Sequence, residues 1–310
     1  MRCLQKRCIF VLSASVWGSA MKITNDVRRK IIQVVAFGFS NSHMGNLAMG
    51  SLYQGRWKNF CNPGLNCHSC PAAGLACPIG AMQAVGGSPK WGISFYVIGF
   101  VLAIGVLFGR AICGYVCPFG LLQELIHKIP SPKIHIPKPL AYLKYVLLAV
   151  FVLLLPAVFT DHYGIGVPAF CEYICPAGTF EGGLPILLTH PELRMQLGGI
   201  FVIKVAILVI TVAGCILCCR FFCKAMCPLG AIYGLLNKIS FYRLHVTPDN
   251  CVSCGKCQAI CPMDVDPITH PDSAECIRCG KCAVACPHHA ICIGLMKERS
   301  NHHEESSDCL

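Results

Sequence analysis

An α-helical, membrane-embedded region followed by a small C-terminal α+β domain is the fold class the sequence predicts, and three observations predict it. Hydrophobic residues make up 55% of the 310 and charged residues only 13%, against roughly 25% charged in an ordinary soluble domain. The apolar residues gather upstream of about residue 220 into runs the length of a membrane crossing. Beyond those runs the apolar pattern stops, and closely spaced cysteines take over in two tandem repeats.

The elements follow in chain order. Residues 1–26 form an N-terminal extension. Arg2, Lys6 and Arg7, the apolar stretch Ile9–Trp17 and then Gly18-Ser19-Ala20 resemble a signal peptide. Cleavage there would oblige Arg28, Arg29 and Lys30 to be translocated. Taking Met21 as the start, with Met1 as the alternative, agrees better with the charges.

Residues 27–243 form the membrane domain, with four expected transmembrane helices. Ile31–Leu52 is the most polar of them, containing Gln33, Asn41, His43 and Asn46. Trp91–Phe108 carries no charge; Tyr142–Phe159 has only Lys144, near enough to its start to snorkel; Leu197–Cys219 has only Lys204. Four crossings place residues before 31, the loop 109–141 and everything after 219 on one side. That side holds Lys22, Arg28, Arg29, Lys30, Arg110, Lys128, Lys133, Lys138, Arg220, Lys224, Lys238 and Arg243. The other side holds Arg56, Lys58, Lys90 and Arg194. The positive-inside rule then puts both termini in the cytoplasm of a bacterial inner membrane. Topology thus accounts for the net charge of +11, and no basic run with interleaved aromatics points to nucleic acid.

The membrane domain carries a repeated element. Cys77-Pro-Ile-Gly80, Cys117-Pro-Phe-Gly120, Cys175-Pro-Ala-Gly178 and Cys227-Pro-Leu-Gly230 share one pattern, and the last three have a partner four residues earlier in Cys113, Cys171 and Cys223. Isolated cysteines beside a membrane helix are packing residues; four such repeats point to metal ligation. Two cysteines four apart supply half of a four-thiolate site, so pairs must combine in space. Cys113 and Cys117 share the inner side with Cys223 and Cys227, and those four can close one [4Fe–4S] site. Cys171 and Cys175 fall on the outer side with Cys61, Cys67, Cys70 and Cys77, six thiols for a site of four. Either the 61–77 group is complete alone or the 171/175 pair supplies half; the second choice makes the outer site a counterpart of the inner one. Cys215, Cys218 and Cys219 are expected to pack.

Residues 244–296 carry Cys251-x2-Cys254-x2-Cys257-x3-Cys261-Pro and, 25 residues on, Cys276-x2-Cys279-x2-Cys282-x3-Cys286-Pro. Three close thiolates wrap three corners of a cube, and the fourth, held off by Pro, reaches the neighbouring cube. This is the pattern of a bacterial-type 2[4Fe–4S] ferredoxin, with Cys251, Cys254, Cys257 and Cys286 on one cluster and Cys276, Cys279, Cys282 and Cys261 on the other. Zinc sites use separated C-x2-C pairs instead. Thiolate clusters call for a reducing compartment, which also places this domain in the cytoplasm. Residues 297–310, polar and rich in His and Glu, read as a disordered tail.

Cys113-Gly-Tyr-Val-Cys117-Pro-Phe-Gly and Cys223-Lys-Ala-Met-Cys227-Pro-Leu-Gly-Ala, followed by the tandem ferredoxin, resemble the NapH/NosR/CcoG-type membrane polyferredoxins. Asn62-Pro-Gly-Leu-Asn-Cys67-His-Ser-Cys70-Pro, running on to Cys77-Pro-Ile-Gly-Ala, is similar to a branch common in anaerobic bacteria. The resemblance extends from about residue 27 to 293. It implies a membrane-bound electron-transfer subunit working between the quinone pool and a partner redox subunit or soluble carrier, within an oxidoreductase complex. CcoG-type members imply an alternative, a membrane reductase acting in maturation of another metalloenzyme. A redox sensor is a third reading.

Several classes lack their signatures. No G-x-G-x-x-G after a strand, no P-loop and no C-x-x-C-H is present. With no acid, base or nucleophile constellation, the chain reads as a conduit. His43 and Lys204, two of the few polar groups within the expected spans, are candidate quinone contacts.

Overall fold

The computed structural model describes residues 26–86, 92–160 and 166–295; the signal-like segment, both candidate starts and the C-terminal tail lie outside them. Helix α1 covers residues 26–40. One face is polar and buried: Arg29 and Gln33 both donate to the Gly114 carbonyl, at 3.3 and 2.8 Å. The opposite face leaves Ile31, Val34, Val35 and Phe39 exposed.

The first expected span differs from what the structure shows. Its helix stops at Ser40, and turns with a single helical turn, Asn46–Met49, replace the second half. The physical reason lies in Ser40-Asn41-Ser42-His43, whose polar groups are taken up by the following loop. Gly74 N–H donates to Ser40 O, His43 N–H to Ala72 O, and Asn66 Nδ2 to Asn41 Oδ1. The loop is itself held by a parallel bridge between Cys61 and Ala76.

Helix α2 (Pro78–Gly86) leaves this loop, and α3 (Gly92–Phe108) follows. The chain turns at Gly109, with φ +56°, through the one-turn helix Ala111–Tyr115 into α4 (Pro118–Ile126). Helix α5 (Pro139–Val158) contains a wide π-type stretch, Leu148–Leu154, just before Pro156. Such widening is a common accommodation where the i−4 ladder is interrupted, as a proline with no N–H interrupts it. Two further widened stretches, Phe170–Ile174 and Gly178–Gly183, flank Cys175 and lead to α6 (Leu184–Thr189). Helix α7 (Gly199–Leu217) ends before Arg220, which takes the left-handed φ of 55° that a side chain rarely adopts. The one-turn helix Phe221–Ala225 and α8 (Pro228–Leu236) then repeat the arrangement of Ala111–Tyr115 and α4.

Among the described residues, α5 and α7 are long and apolar enough to cross a membrane, while the apolar stretch Phe95–Phe108 of α3 is shorter. Their outward faces are apolar as well: Val202, Val209 and Ile210 are 60% exposed or more. Lys144 does not snorkel. It is wholly buried and ion-paired to Glu275, a residue of the ferredoxin-like segment.

That segment is a two-stranded antiparallel sheet, β1 (Tyr242–Val246) with β2 (Ile291–Leu295), with Leu244 opposite Ile293. The cysteine repeat is visible in its backbone. Ser253 and Arg278, Gly255 and Gly280, and Asp264 and His289 are pairs 25 residues apart, and all six have φ between 50° and 80°.

Candidate metal centres

Each C-P-x-G element builds the same turn. The cysteine caps a helix, proline occupies its first position, and the Sγ of Cys117, Cys175 and Cys227 accepts the N–H of Gly120, Gly178 and Gly230 at 3.3–3.4 Å. Proline's fixed φ suits that position and its missing N–H is no loss there. The result is a rigid, inward-facing sulfur that already accepts a backbone hydrogen bond, which is the surrounding a cluster thiolate uses.

The structure brings Cys113, Cys117, Cys223 and Cys227 together. All four are buried and interact with one another electrostatically. Two arginines hold the pairs reciprocally. Arg110 donates to the carbonyl of Cys223 at 2.6 Å, and Arg220 donates to the carbonyl of Cys113 at 2.5 Å. Each arginine stands three residues before the first cysteine of its own motif and reaches the first cysteine of the other. Both are completely buried, Arg110 paired with Glu275 and Arg220 with Glu124. Burial alone would raise the Glu124 carboxyl, but the hydrogen bond from Arg29 and the charge of Arg220 overcome it and hold the pKa down at about 2. Gln123 completes the site, its amide donating to Cys223 Sγ at 3.1 Å.

Of the six cysteines expected together on the outer side, four form the closest group. Cys67, Cys77, Cys171 and Cys175 interact mutually. Cys70 forms a small core with Ala72 and Ala73, against which Leu47 and Cys67 pack. The Cys61 backbone is fixed in the bridge to Ala76, and the residue lines the same cavity as Cys67, Cys77, Cys171 and Cys175. This cavity, of about 860 Å3, is lined by Cys61, Cys67, Cys77, Cys171 and Cys175 together with Ala84, Val85, Tyr96, Val97 and Pro168.

In the C-terminal segment, one cavity is lined by Cys261, Cys276, Cys279 and Cys282, and the other by Cys251, Cys254, Cys257 and Cys286. The crossing of Cys261 and Cys286 between repeats is therefore present in the geometry. The first cavity sits against the inner site: Ile277 O lies 2.7 Å from where a Cβ on Gly114 would be. Asn237 Nδ2 donates to the carbonyls of Ser273 and Cys276 at 2.9 and 2.8 Å. The second cavity is farther out, with Cys254 exposed.

The donor sets fit iron–sulfur cubes. Burial pushes the thiols up, to about 11 for Cys113 and Cys276 and about 12 for Cys77, so ionised sulfur there calls for a bound cation. Among the described residues, no three His, Cys, Asp or Glu groups converge as a single ion requires. A cube holds its thiolates apart, whereas one zinc draws them to about 2.3 Å from a point. Neither quinone candidate lies on the wall of the outer cavity. His43 is stacked on Tyr53, with ring centroids 3.8 Å apart, and Lys204 Nζ donates to Cys171 O at 3.4 Å.

Four buried groups were not singled out in the sequence. Gln83, Gln123, Glu181 and Tyr233 each stand six residues after the cysteine of a C-P-x-G element, and that fixed offset is the signal that finds them. Gln83 donates to Cys171 Sγ at 3.3 Å, Glu181 accepts the Cys67 N–H at 2.7 Å, and Tyr233 donates to Pro63 O at 2.9 Å.

Comparison with known proteins agrees with this geometry. A "4Fe-4S binding domain" family model matches residues 91–137, 145–184 and 200–245, and a second one so described matches 270–292. An uncharacterized protein of Methanocaldococcus jannaschii is 32% identical over 53% of this chain and 63% of its own length. The putative electron transport protein YccM of Escherichia coli is 26% identical over 52% of this chain and 43% of its own. The methylamine utilization ferredoxin-type protein MauN of Paracoccus denitrificans is 28% identical over 53% and 50%. The chain thus spans about half the length of the curated relatives it matches. No solved structure matches. The chain carries 4Fe-4S binding domains, and its cofactors are [4Fe–4S] clusters.

Proposed function

We infer that the chain is a membrane-spanning electron-transfer protein that carries electrons between a partner redox protein at the distal ferredoxin site and the opposite face of the bilayer. Bound clusters supply reversible one-electron redox chemistry; the chain's own residues place them and exclude water. One observation carries the reading. Cys77 and Cys175 of the outer site and Cys113, Cys117 and Cys227 of the inner site belong to one continuous hydrophobic core, and Cys261 and Cys279 of the ferredoxin-like segment pack against it. The outer loop reaches inward to make it so: Cys117 Cα lies 2.7 Å from where a Cβ on Gly64 would be, and Cys117 Sγ lies 3.8 Å from Leu65 O. Irregular backbone is tolerated at membrane depth where protein buries it, so no gap of full bilayer thickness, about 30 Å, separates the sites.

The exposed apolar faces of α5 and α7 and the Lys/Arg asymmetry support a multi-pass topology with the ferredoxin-like segment in the cytoplasm. The exposed Cys254 marks where a soluble carrier or partner subunit meets the chain. Exchange with a quinone is supported by the outer cavity, whose Tyr96 and Val97 wall comes from α3. The test uses the protein in sealed vesicles, with reductant at the ferredoxin face and an impermeant acceptor enclosed. Reduction of the acceptor is expected; none above protein-free vesicles would overturn the conduit. Quinol should also reduce the clusters, more slowly in Tyr96→Ala, which alters the cavity wall. Failure of every quinol would favour the maturation role.

A further inference from the structure

The geometry points to a fourth [4Fe–4S] cluster on the outer face, held by Cys67, Cys77, Cys171 and Cys175, with Cys61 and Cys70 taking no part. This rests on the cluster-binding reading above and chooses four ligands among six thiols that spacing alone leaves equal.

Three independent features select them. The first is placement. A Cβ built on Gly178 would lie 3.9 Å from both Cys175 Cβ and Cys67 Sγ, and one on Gly80 would lie 3.8 Å from Cys77 Cβ and 3.9 Å from Cys171 Sγ. The two C-P-x-G glycines of this face thus each touch one cysteine from either chain segment, so the four sulfurs face a common space. Gly182, whose Cβ would meet Ser69 O at 3.1 Å, lets the Cys67 turn approach this closely.

The second feature is repetition of the inner site. There, Gln123 follows Cys117 by six residues and donates to Cys223 Sγ, the first cysteine of the opposing pair. Here, Gln83 follows Cys77 by six and donates to Cys171 Sγ, again the first of the opposing pair. The oxygens of both glutamines accept backbone N–H groups of the opposing segment, from Cys223 at 3.4 Å and from Phe170 at 2.8 Å. Cys77, Cys171 and Cys175 thereby map onto Cys117, Cys223 and Cys227, which leaves one vacancy, that of Cys113. Cys67 fills it from the loop, fixed by the buried Glu181 carboxyl on its N–H.

The third feature is how the backbone uses the two remaining cysteines. Cys70 is set in the small core of Ala72 and Ala73 against which Cys67 packs, and the Cys61 backbone is bridged to Ala76. Both are structural parts of the loop that delivers Cys67.

Iron and acid-labile sulfide are measured on the full chain, purified and reconstituted anaerobically, with electron paramagnetic resonance of the reduced protein. Four cubes require about sixteen irons per chain. Cys67→Ser, Cys77→Ser, Cys171→Ser and Cys175→Ser are each expected to lose the same signal and about four irons. Cys61→Ser and Cys70→Ser should lose neither. Persistence of the ferredoxin and inner-site signals in each variant reports that it has folded. Loss of the outer signal in Cys61→Ser or Cys70→Ser, with retention in Cys171→Ser and Cys175→Ser, would overturn the assignment in favour of the loop alone. If a variant fails to fold, the unsubstituted protein still decides: about twelve irons with the other three signals intact overturns the outer cluster. That result leaves the electron-transfer reading standing, because the vesicle experiment fails independently of it.

Discussion

The inner and outer four-cysteine sites share a helix-capping turn and a glutamine on the opposing sulfur, yet they differ in charge. The inner site is enclosed by Arg110, Arg220, Glu124 and Glu275, with Arg29 and Lys144 joining the same ion pairs and Lys224 paired separately with Asp264. On the outer face no arginine precedes Cys171 by three residues; Pro168 stands there. Desolvation pushes the Glu181 carboxyl up to about 7. The difference teaches what each site is built to meet. The inner charges bind the ferredoxin-like segment through Glu275 and Asp264, whereas the outer site faces an apolar cavity and makes no such ionic joint.

The largest expected effect follows from this. Removing one partner of a buried, hydrogen-bonded charge pair costs about 3–5 kcal/mol. Arg110→Leu leaves Glu275 with Lys144 as its one remaining ion-pair partner and frees the Cys223 carbonyl, so it should destabilise the protein toward the lower end of that scale and loosen the ferredoxin-like segment. Surface substitutions stay within about 0.5 kcal/mol, the result expected for Arg56→Leu at an exposed position in the loop before Cys61. Anaerobic denaturation in detergent with protease susceptibility of residues 242–295 measures both. Equal effects would break the comparison.

A redox difference comes next. Arg110 and Arg220 stabilise added negative charge at the inner site, while at the outer one a partly ionised Glu181 opposes the single charge of Lys204. One unit charge about 8 Å away at an effective dielectric of about 20 amounts to about 2 kcal/mol, on the order of 100 mV for a one-electron couple. The inner cluster should therefore have the higher potential, making transfer from the outer to the inner face downhill. Potentiometric titration checks the order, and its reversal would remove the electrostatic argument.

How far these sites were legible in the sequence follows the same division. The ferredoxin partition was readable because ligand spacing is local: the crossing of Cys261 and Cys286 follows from the run and its proline. The grouping of the inner quartet was readable because two like motifs each start a short helix, at Pro118 and at Pro228. The outer choice depends on the path of the loop 61–77, and that path is set by contacts with Ser40, Asn41 and His43 that have no spacing rule. The same contacts end α1 at residue 40 and explain why the apolar run 31–52 is not one helix. Lys144 looked like a snorkelling residue because its partner, Glu275, is 131 residues away.

Gly64 tests whether the two faces are one packed unit. It belongs to the outer loop, but an added Cβ would stand 2.7 Å from Cys117 Cα of the inner site. Overpacking of this kind costs about 1–3 kcal/mol. Gly64→Ala should broaden or shift the inner-site resonance, while Gly99→Ala, which meets nothing within 4 Å, should leave every signal unchanged. An unaltered inner signal in Gly64→Ala would mean that the loop does not reach so deep.

The smallest effect expected is also the most diagnostic of repetition. Gln83 and Gln123 donate to Cys171 and Cys223 from equivalent positions, and neither is a ligand. A hydrogen bond to sulfur favours the reduced, more negative cluster, so its loss lowers the potential. A net hydrogen bond is worth about 1 kcal/mol, or roughly 40 mV for one electron. Gln83→Met and Gln123→Met keep the length of the side chain and remove the donor. Each should lower the potential of its own cluster by a few tens of millivolts, leave the other unmoved, and change no iron content. If Gln123→Met shifts the inner cluster and Gln83→Met shifts nothing, the outer glutamine merely packs, and the likeness of the two sites ends at the capping turn.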